Sequence, residues 1–345
     1  MRWIYLTICL WIANCLTAAQ GFDLQLTVGS GFTPAHLAIL TPAAAQAEAM
    51  WEAALTGYQP GINIASVPIT IQPITTGLAN ANYTGSTFQG GYWLTTSGIV
   101  RINTNEINNF ANWQGPGANG FNFIDEILAH EVGHALGIGT HWINNSVYTL
   151  DSFQYTGAHG VAAFQAEFNP AATFVPVEDA GGVGAMNYHW DQLMRSSTQE
   201  GNPSNPYSLD PRLGITDQFG HDFGLELLTA ALDPDYGQPF ISRTTIQSMR
   251  DIGYTVAEFE DLNQDGSINS SDLAILTGNL GMTGLGIDSF RFGDINRDRM
   301  VDAVDLQLMQ AAVPEPATWI LAALGVLVAV PHLSRHGRGR RPSEG

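Results

Sequence analysis

Lysine is absent from this sequence, and cysteine nearly so. All 13 basic residues are arginine, set against 32 acidic ones, for a formal net charge of −19. That imbalance excludes nucleic acid and anionic lipid surfaces as partners, since an acidic chain repels polyanions. It leaves divalent cations as natural counterparts. Four of the arginines (Arg335, Arg338, Arg340, Arg341) sit at the C-terminal end, so the body is more acidic than the total suggests. The two cysteines, Cys9 and Cys15, both lie in an N-terminal apolar stretch. Met1–Arg2 followed by WIYLTICLWIANCLTAA reads as a secretory signal peptide cleaved near residues 19–21, with lipidation at Cys15 as the other reading. The mature chain then has no cysteine, which excludes disulfides and thiolate metal ligands. Charged residues make up only 13% and apolar ones 45%, a globular rather than a disordered composition.

Composition separates four segments: a signal peptide at 1–20, a mixed region at 21–256, an Asp/Asn-rich stretch at 257–313 and an apolar, then basic, tail at 314–345. In the mixed region, TPAAAQAEAMWEAAL (Thr41–Leu55) has helical spacing, whereas VPITIQPI and SGIVRINT have the β-branched alternation of strands. NFIDEILAHEVGHALGIG is the strongest helix signal. Its apolar residues Ile124, Ile127, Leu128, Val132 and Leu136 recur at three- and four-residue steps, and Gly137 and Gly139 mark its end. Helix, strands, then a long helix predict an α+β layout.

That helix carries HEVGH, His130 to His134. Residues four apart share one helix face, so two imidazoles at this spacing can grip one Zn²⁺. Glu131, beside the first ligand, is placed to take a proton from a water that zinc acidifies. The motif continues as HEVGHALGIGTHW, with Gly137 where the chain must turn back sharply. His141, just past the turn, and His221 in FGHDFG are candidates for a third ligand. Asp191 and Glu226 are candidates to orient a ligand ring. His36 and His159 lack ligand-like context.

The extended string resembles the metzincin zinc peptidases. In these the third histidine usually follows the second by six residues; here that position is Thr140, and His141 comes one late. The closer resemblance is to leishmanolysin-like bacterial peptidases, which carry HExGHxLGIGT and a distant third ligand in a Gly-rich stretch ending in His-Trp. VEDAGGVGAMNYHW matches that stretch and implies His189 as the ligand. LELLTAALDPDYGQPFISRTTIQSMRDIGYTV looks like the family's closing segment, with Leu228 where the family places a Met beneath the metal; Met194 is the alternative for that floor. The resemblance implies a metzincin-like zinc peptidase domain with an active-site helix under a mixed sheet. His130, His134 and His189 would hold zinc and Glu131 would be the general base, acting on a protein or peptide substrate. Two rivals stand beside it: a catalytically inactive extracellular matrix or binding protein, and a zinc hydrolase acting on a non-peptide bond.

Two segments share a second cadence: DLNQDGSINSSD and DINRDRMVDAVD. Oxygen side chains recur at positions 1, 3, 5, 9 and 12: Asp261, Asn263, Asp265, Asn269 and Asp272, then Asp294, Asn296, Asp298, Asp302 and Asp305. The backbone carbonyls of Ser267 and Met300 fall at position 7. This spacing supplies the hard oxygen shell calcium takes, for one or two structural Ca²⁺ ions. Asp rather than Glu at position 12 resembles a dockerin module, small and all-α, whose implied partner is a cohesin-like domain; a calcium-stabilised spacer is the other role. The first loop has Gly266 at its turn, the second Arg299, which predicts a strained or differently built second turn.

In the tail, a Pro-Glu-Pro motif precedes an apolar run, Ala317 to Val330, that is short for a membrane span, and then an arginine cluster. This arrangement resembles the PEP-CTERM sorting signal of Gram-negative-type bacteria. It implies transient membrane anchoring, processing by an exosortase-type enzyme, and delivery to the cell surface or extracellular matrix. A plain C-terminal membrane anchor is the alternative.

Overall fold

The computed structural model of the chain describes residues 21–192 and 215–313, apart from positions 116, 180, 183, 233, 235 and 236. The expected signal peptide, the C-terminal tail and Met194 lie outside the described residues.

The chain begins β1 (Leu24–Val28), α1 (Pro34–Ala54), β2 (Leu55–Tyr58), β3 (Val67–Ile74), β4 (Ala79–Gln89), β5 (Tyr92–Asn103), α2 (Ile107–Phe110) and α3 (Ile124–Leu136). VPITIQPI is the whole of β3, with Val67, Ile69 and Ile71 turned into the core. α1 starts at Pro34, ahead of the expected Thr41. Thr33 caps it by accepting from the His36 N–H, and proline is well placed in a first turn.

Four strands form a mixed sheet in the order β1-β3-β5-β4. β1, β3 and β5 run parallel, and β4 runs antiparallel to β5. Parallel neighbours need a long crossover, and α1 lies within the connection from β1 to β3. β4 and β5 form a hairpin whose two-residue turn, Gly90–Gly91, has both φ angles positive. β4 is thereby left at the sheet edge.

α3 is wedged between α1 and the sheet. Leu128, Val132, Ala135 and Leu136 are fully buried, and each burial of a Leu- or Val-sized side chain contributes about 1.5–3 kcal/mol. Three polar tethers fix its register. Trp51 Nε1 donates to Ala129 O at 2.9 Å, Thr95 Oγ1 to Ala135 O at 2.8 Å, and Tyr254 OH to Leu136 O at 2.9 Å. The helix can therefore neither slide nor rotate without breaking buried hydrogen bonds.

Beyond α3 the chain is loop-rich, with β6 (Gln154–Tyr155), α4 (Ala158–Glu167), β7 (Val175–Pro176), α5 (Arg243–Ser248) and β8 (Tyr254–Val256). β8 pairs antiparallel with β2 and closes this part of the molecule. Two further helices, α6 (Ser270–Asn279) and α7 (Ala303–Ala312), then pack around a separate small core of Leu276, Ile295, Val301 and Met309. The expected α+β architecture with a small helical module is what the chain adopts. Among the described residues, no helix is long and apolar enough to cross a membrane.

Candidate metal centre

α3 stacks His130 over His134, and their Nε2 atoms lie 3.0 Å apart. His189 joins them at 2.9 Å from His134 Nε2 and 3.2 Å from His130 Nε2. Each ring's other nitrogen meets a backbone carbonyl: His130 Nδ1 and Leu227 O at 2.6 Å, His134 Nδ1 and Ile138 O at 3.0 Å, His189 Nδ1 and Ala185 O at 2.8 Å. A carbonyl only accepts, so each Nδ1 carries the proton and each neutral ring presents a bare Nε2 lone pair. Three bare lone pairs converging on one point repel one another unless a cation lies between them.

Burial disfavours protonation as the remedy. It lowers the pKa of all three rings, to about 3 for His189 and well below the ordinary value for His134, where the neighbouring rings add to the effect. The donor set suits zinc. Nitrogens sharing a tetrahedral zinc at about 2.0–2.1 Å stand about 3.3 Å apart, close to the triangle observed. The carbonyl partners fix tautomer and ring orientation, as outer-shell groups do at metal-histidine sites.

Local sequence explains how a residue so distant in the chain arrives here. α3 ends at Gly137, and Thr140 Oγ1 donates to His134 O at 2.7 Å, which turns the chain back under the helix. Gly139, at φ +72°, has no Cβ, and one placed there would overlap the Tyr188 carbonyl. The GIG sequence thus makes room for the backbone that bears His189. Trp190 anchors that backbone from behind. It is fully buried, stacks on Trp142 with ring centroids 4.7 Å apart, and donates through Nε1 to Thr245 Oγ1 at 2.7 Å. In the His-Trp pair, the tryptophan holds the loop and the histidine faces the cleft.

The three histidines and Glu131 line one cleft of about 710 Å³. Leu78 and the first residues of β4, 79–83, line it, as do residues 225–227 and 229–232. Burial alone raises the Glu131 carboxyl to about 8; a bound cation nearby would favour its ionised form. Leu228 is fully buried, with its side chain close to Gly133 of α3. Glu226 holds this turn in place. Its carboxylate accepts from Leu228 N at 2.6 Å, Ser242 N at 3.0 Å, Ser242 Oγ at 2.9 Å and Thr245 Oγ1 at 2.6 Å. It therefore acts on His130 one step removed, through the Leu227 carbonyl.

Other candidates lie apart from the cluster. His141, the alternative third ligand, is buried behind the cleft, stacked on Tyr83 at 4.4 Å with Nε2 3.2 Å from Thr95 Oγ1; burial lowers it to about 4. His221 pairs with Asp217 at 2.9 Å. Asp191 orients none of the ligand rings, since backbone carbonyls fill that role. The Leu227 carbonyl itself has no side-chain signature by which a sequence reading could have found it.

The two acidic loops fold alike. Asp261 accepts from Asp265 N and Gly266 N, and Asp294 from Asp298 N and Arg299 N. Asp272 accepts from Asn263 N and Asn269 N; Asp305 accepts from Asn296 N and Asp302 N. Asn269 and Asp302 cap α6 and α7 in matching capping boxes. Arg299 adopts φ +67° where Gly266 has +82°, so the second turn is built like the first. A left-handed backbone costs a non-glycine residue about 1–2 kcal/mol; the second loop bears it at both Arg297 and Arg299, the first at Gln264. Asp272, Asp294 and Asp305 are fully buried. Burial, with the nearby Asp305 and Asp298, raises Asp294 to about 6. Buried carboxylates crowded with oxygen donors fit a hard cation.

Comparison with known families identifies this module. Residues 259–314 match the Dockerin type I domain, and residues 312–338 match the PEP-CTERM protein-sorting motif. No curated protein and no solved structure matches the chain. The dockerin match implies calcium binding and a cohesin partner. The sorting motif implies exosortase processing, export and surface association in Gram-negative bacteria.

Proposed function

We propose that residues 21–256 form a leishmanolysin-like zinc endopeptidase of the metzincin type, carried to the cell exterior by its sorting signal. The observation that carries this reading is the triangle of bare Nε2 atoms with Glu131 beside it in an open cleft. His130, His134 and His189 would hold the metal. Bound zinc supplies Lewis acidity toward a carbonyl and lowers the pKa of water.

The chain's own residues supply the rest. Glu131 takes a proton at its carboxylate and later returns it to the leaving amine, a role suited to a carboxyl that burial brings toward neutrality. Among the described residues β4 is the outer strand of the sheet and lines the cleft, so an extended peptide can add to it as a further strand. Leu227 O and Glu226 keep His130 aimed.

The test is zinc content together with casein cleavage, for wild type and Glu131→Gln, with and without a chelator. The reading expects the variant to keep one zinc per chain and lose cleavage by at least about a hundredfold. Zinc-loaded wild type that cuts no protein or peptide panel would sink it and leave the binding-protein alternative.

A further inference from the structure

The second acidic loop does more than shape its own module. Its left-handed positions 4 and 6 are Arg297 and Arg299, at φ +63° and +67°. Both side chains leave the module and are buried against the region that precedes it. Arg297 donates to Glu167 Oε1 at 2.5 Å, Ile241 O at 3.2 Å and Asp217 Oδ2 at 2.8 Å, and its guanidinium lies over Phe240. Arg299 donates to Glu126 Oε1 at 3.0 Å and Pro239 O at 2.7 Å, over Phe121.

Glu126 and Pro239 both line the cleft. Glu126 lies one helical turn before His130 on α3. Arg299 therefore ties Glu126 on α3 to Pro239, both part of the cleft lining, and its own backbone N–H is held by Asp294 Oδ2 at 2.8 Å, the first oxygen of the calcium loop. In the first loop, position 4 is Gln264, which reaches only exposed carbonyls of Glu52 and Ala53, and position 6 is glycine. The departure from glycine at position 6 coincides with the contact to the cleft.

We propose that the second calcium loop is an intramolecular clamp. Calcium fixes the loop in the form that delivers Arg297 and Arg299 to Glu167, Asp217 and Glu126, and so holds the module on the cleft-bearing region with Glu126 and Pro239 of the cleft lining at a set separation. The partner of this face of the dockerin module is the chain itself. The inference rests on these contacts and the dockerin match, not on peptidase activity.

The test uses the full chain with calcium alone as the probe. Coupling between ion and contact is reciprocal. Glu126→Gln combined with Glu167→Gln should weaken one of two calcium sites by about tenfold or more in a calorimetric titration, and leave the other unchanged. Unaltered affinity at both sites would overturn the clamp. Trypsin gives the second readout, because a chain without lysine is cut only after arginine. In calcium, wild type should resist cleavage after Arg297 and Arg299. Arg299→Gly restores the loop's glycine and keeps every calcium oxygen. It should retain two bound calcium ions yet be cut after Arg297 about tenfold faster. Resistance equal to wild type would overturn the clamp, and this variant decides the matter if the double variant does not fold.

Discussion

Gly139→Ala isolates the contact that brings the third histidine to the other two. An added Cβ would overlap the Tyr188 carbonyl oxygen and lie 2.9 Å from Tyr188 C and Cα, closer than the 3.0 Å below which something must shift. The obstacle is backbone, so the Tyr188–His189 segment has to retreat. Left-handed φ adds about 1–2 kcal/mol, and overpacking of this kind adds about 1–3 kcal/mol. Gly120→Ala supplies the control: its φ is +81°, and nothing lies within 4 Å of an added Cβ. Urea unfolding of the metal-free proteins should show Gly139→Ala to be the less stable variant by about 1–3 kcal/mol. In a competition titration, zinc affinity should fall by about 10- to 100-fold for Gly139→Ala and stay near wild type for Gly120→Ala. Gly139→Ala with wild-type zinc affinity would refute the argument that this close approach positions His189.

Leu228→Met should be tolerated at less than about 1.5 kcal/mol with zinc binding intact, because volume is conserved. Leu228→Ala should cost about 2–5 kcal/mol in the same unfolding assay, as expected for a fully buried site. Asp217 is pushed up by burial, but its bond to His221 and the charges of His221 and Arg297 outweigh this and hold it below 3.8. Its folded value lies under its unfolded one, so its contribution is full above about 3.8 and is lost as pH falls through the lower folded value. Asp217→Asn should flatten the acid limb of stability against pH, and an unchanged slope would count against the buried Arg297 pair.

The parts legible in the sequence are those with strong local periodicity. α3 is apolar along one side, and β3 alternates cleanly, so both could be read nearly to the residue. β4 could not. ANANYTGSTFQ has no buried face, because as the edge strand it is half exposed on one side and solvated on the other. The metal pair follows from helical spacing alone, whereas His189 required the family resemblance, since nothing within VEDAGGVGAMNYHW says where that segment lands. The Gly139–Tyr188 approach explains afterwards why the GIG sequence is there. Arg299 read as a flaw in a calcium loop, because a local reading prices its left-handed turn and cannot see Glu126, 173 positions away in the chain.

The central claim is that His130, His134 and His189 converge to hold one metal ion. Diffraction from zinc-loaded crystals, measured on both sides of the zinc absorption edge, tests it directly. The account predicts a single strong anomalous peak bonded to the three Nε2 atoms, within reach of Glu131. A peak held by His141 instead, or no peak among the three rings at saturating zinc, would contradict it.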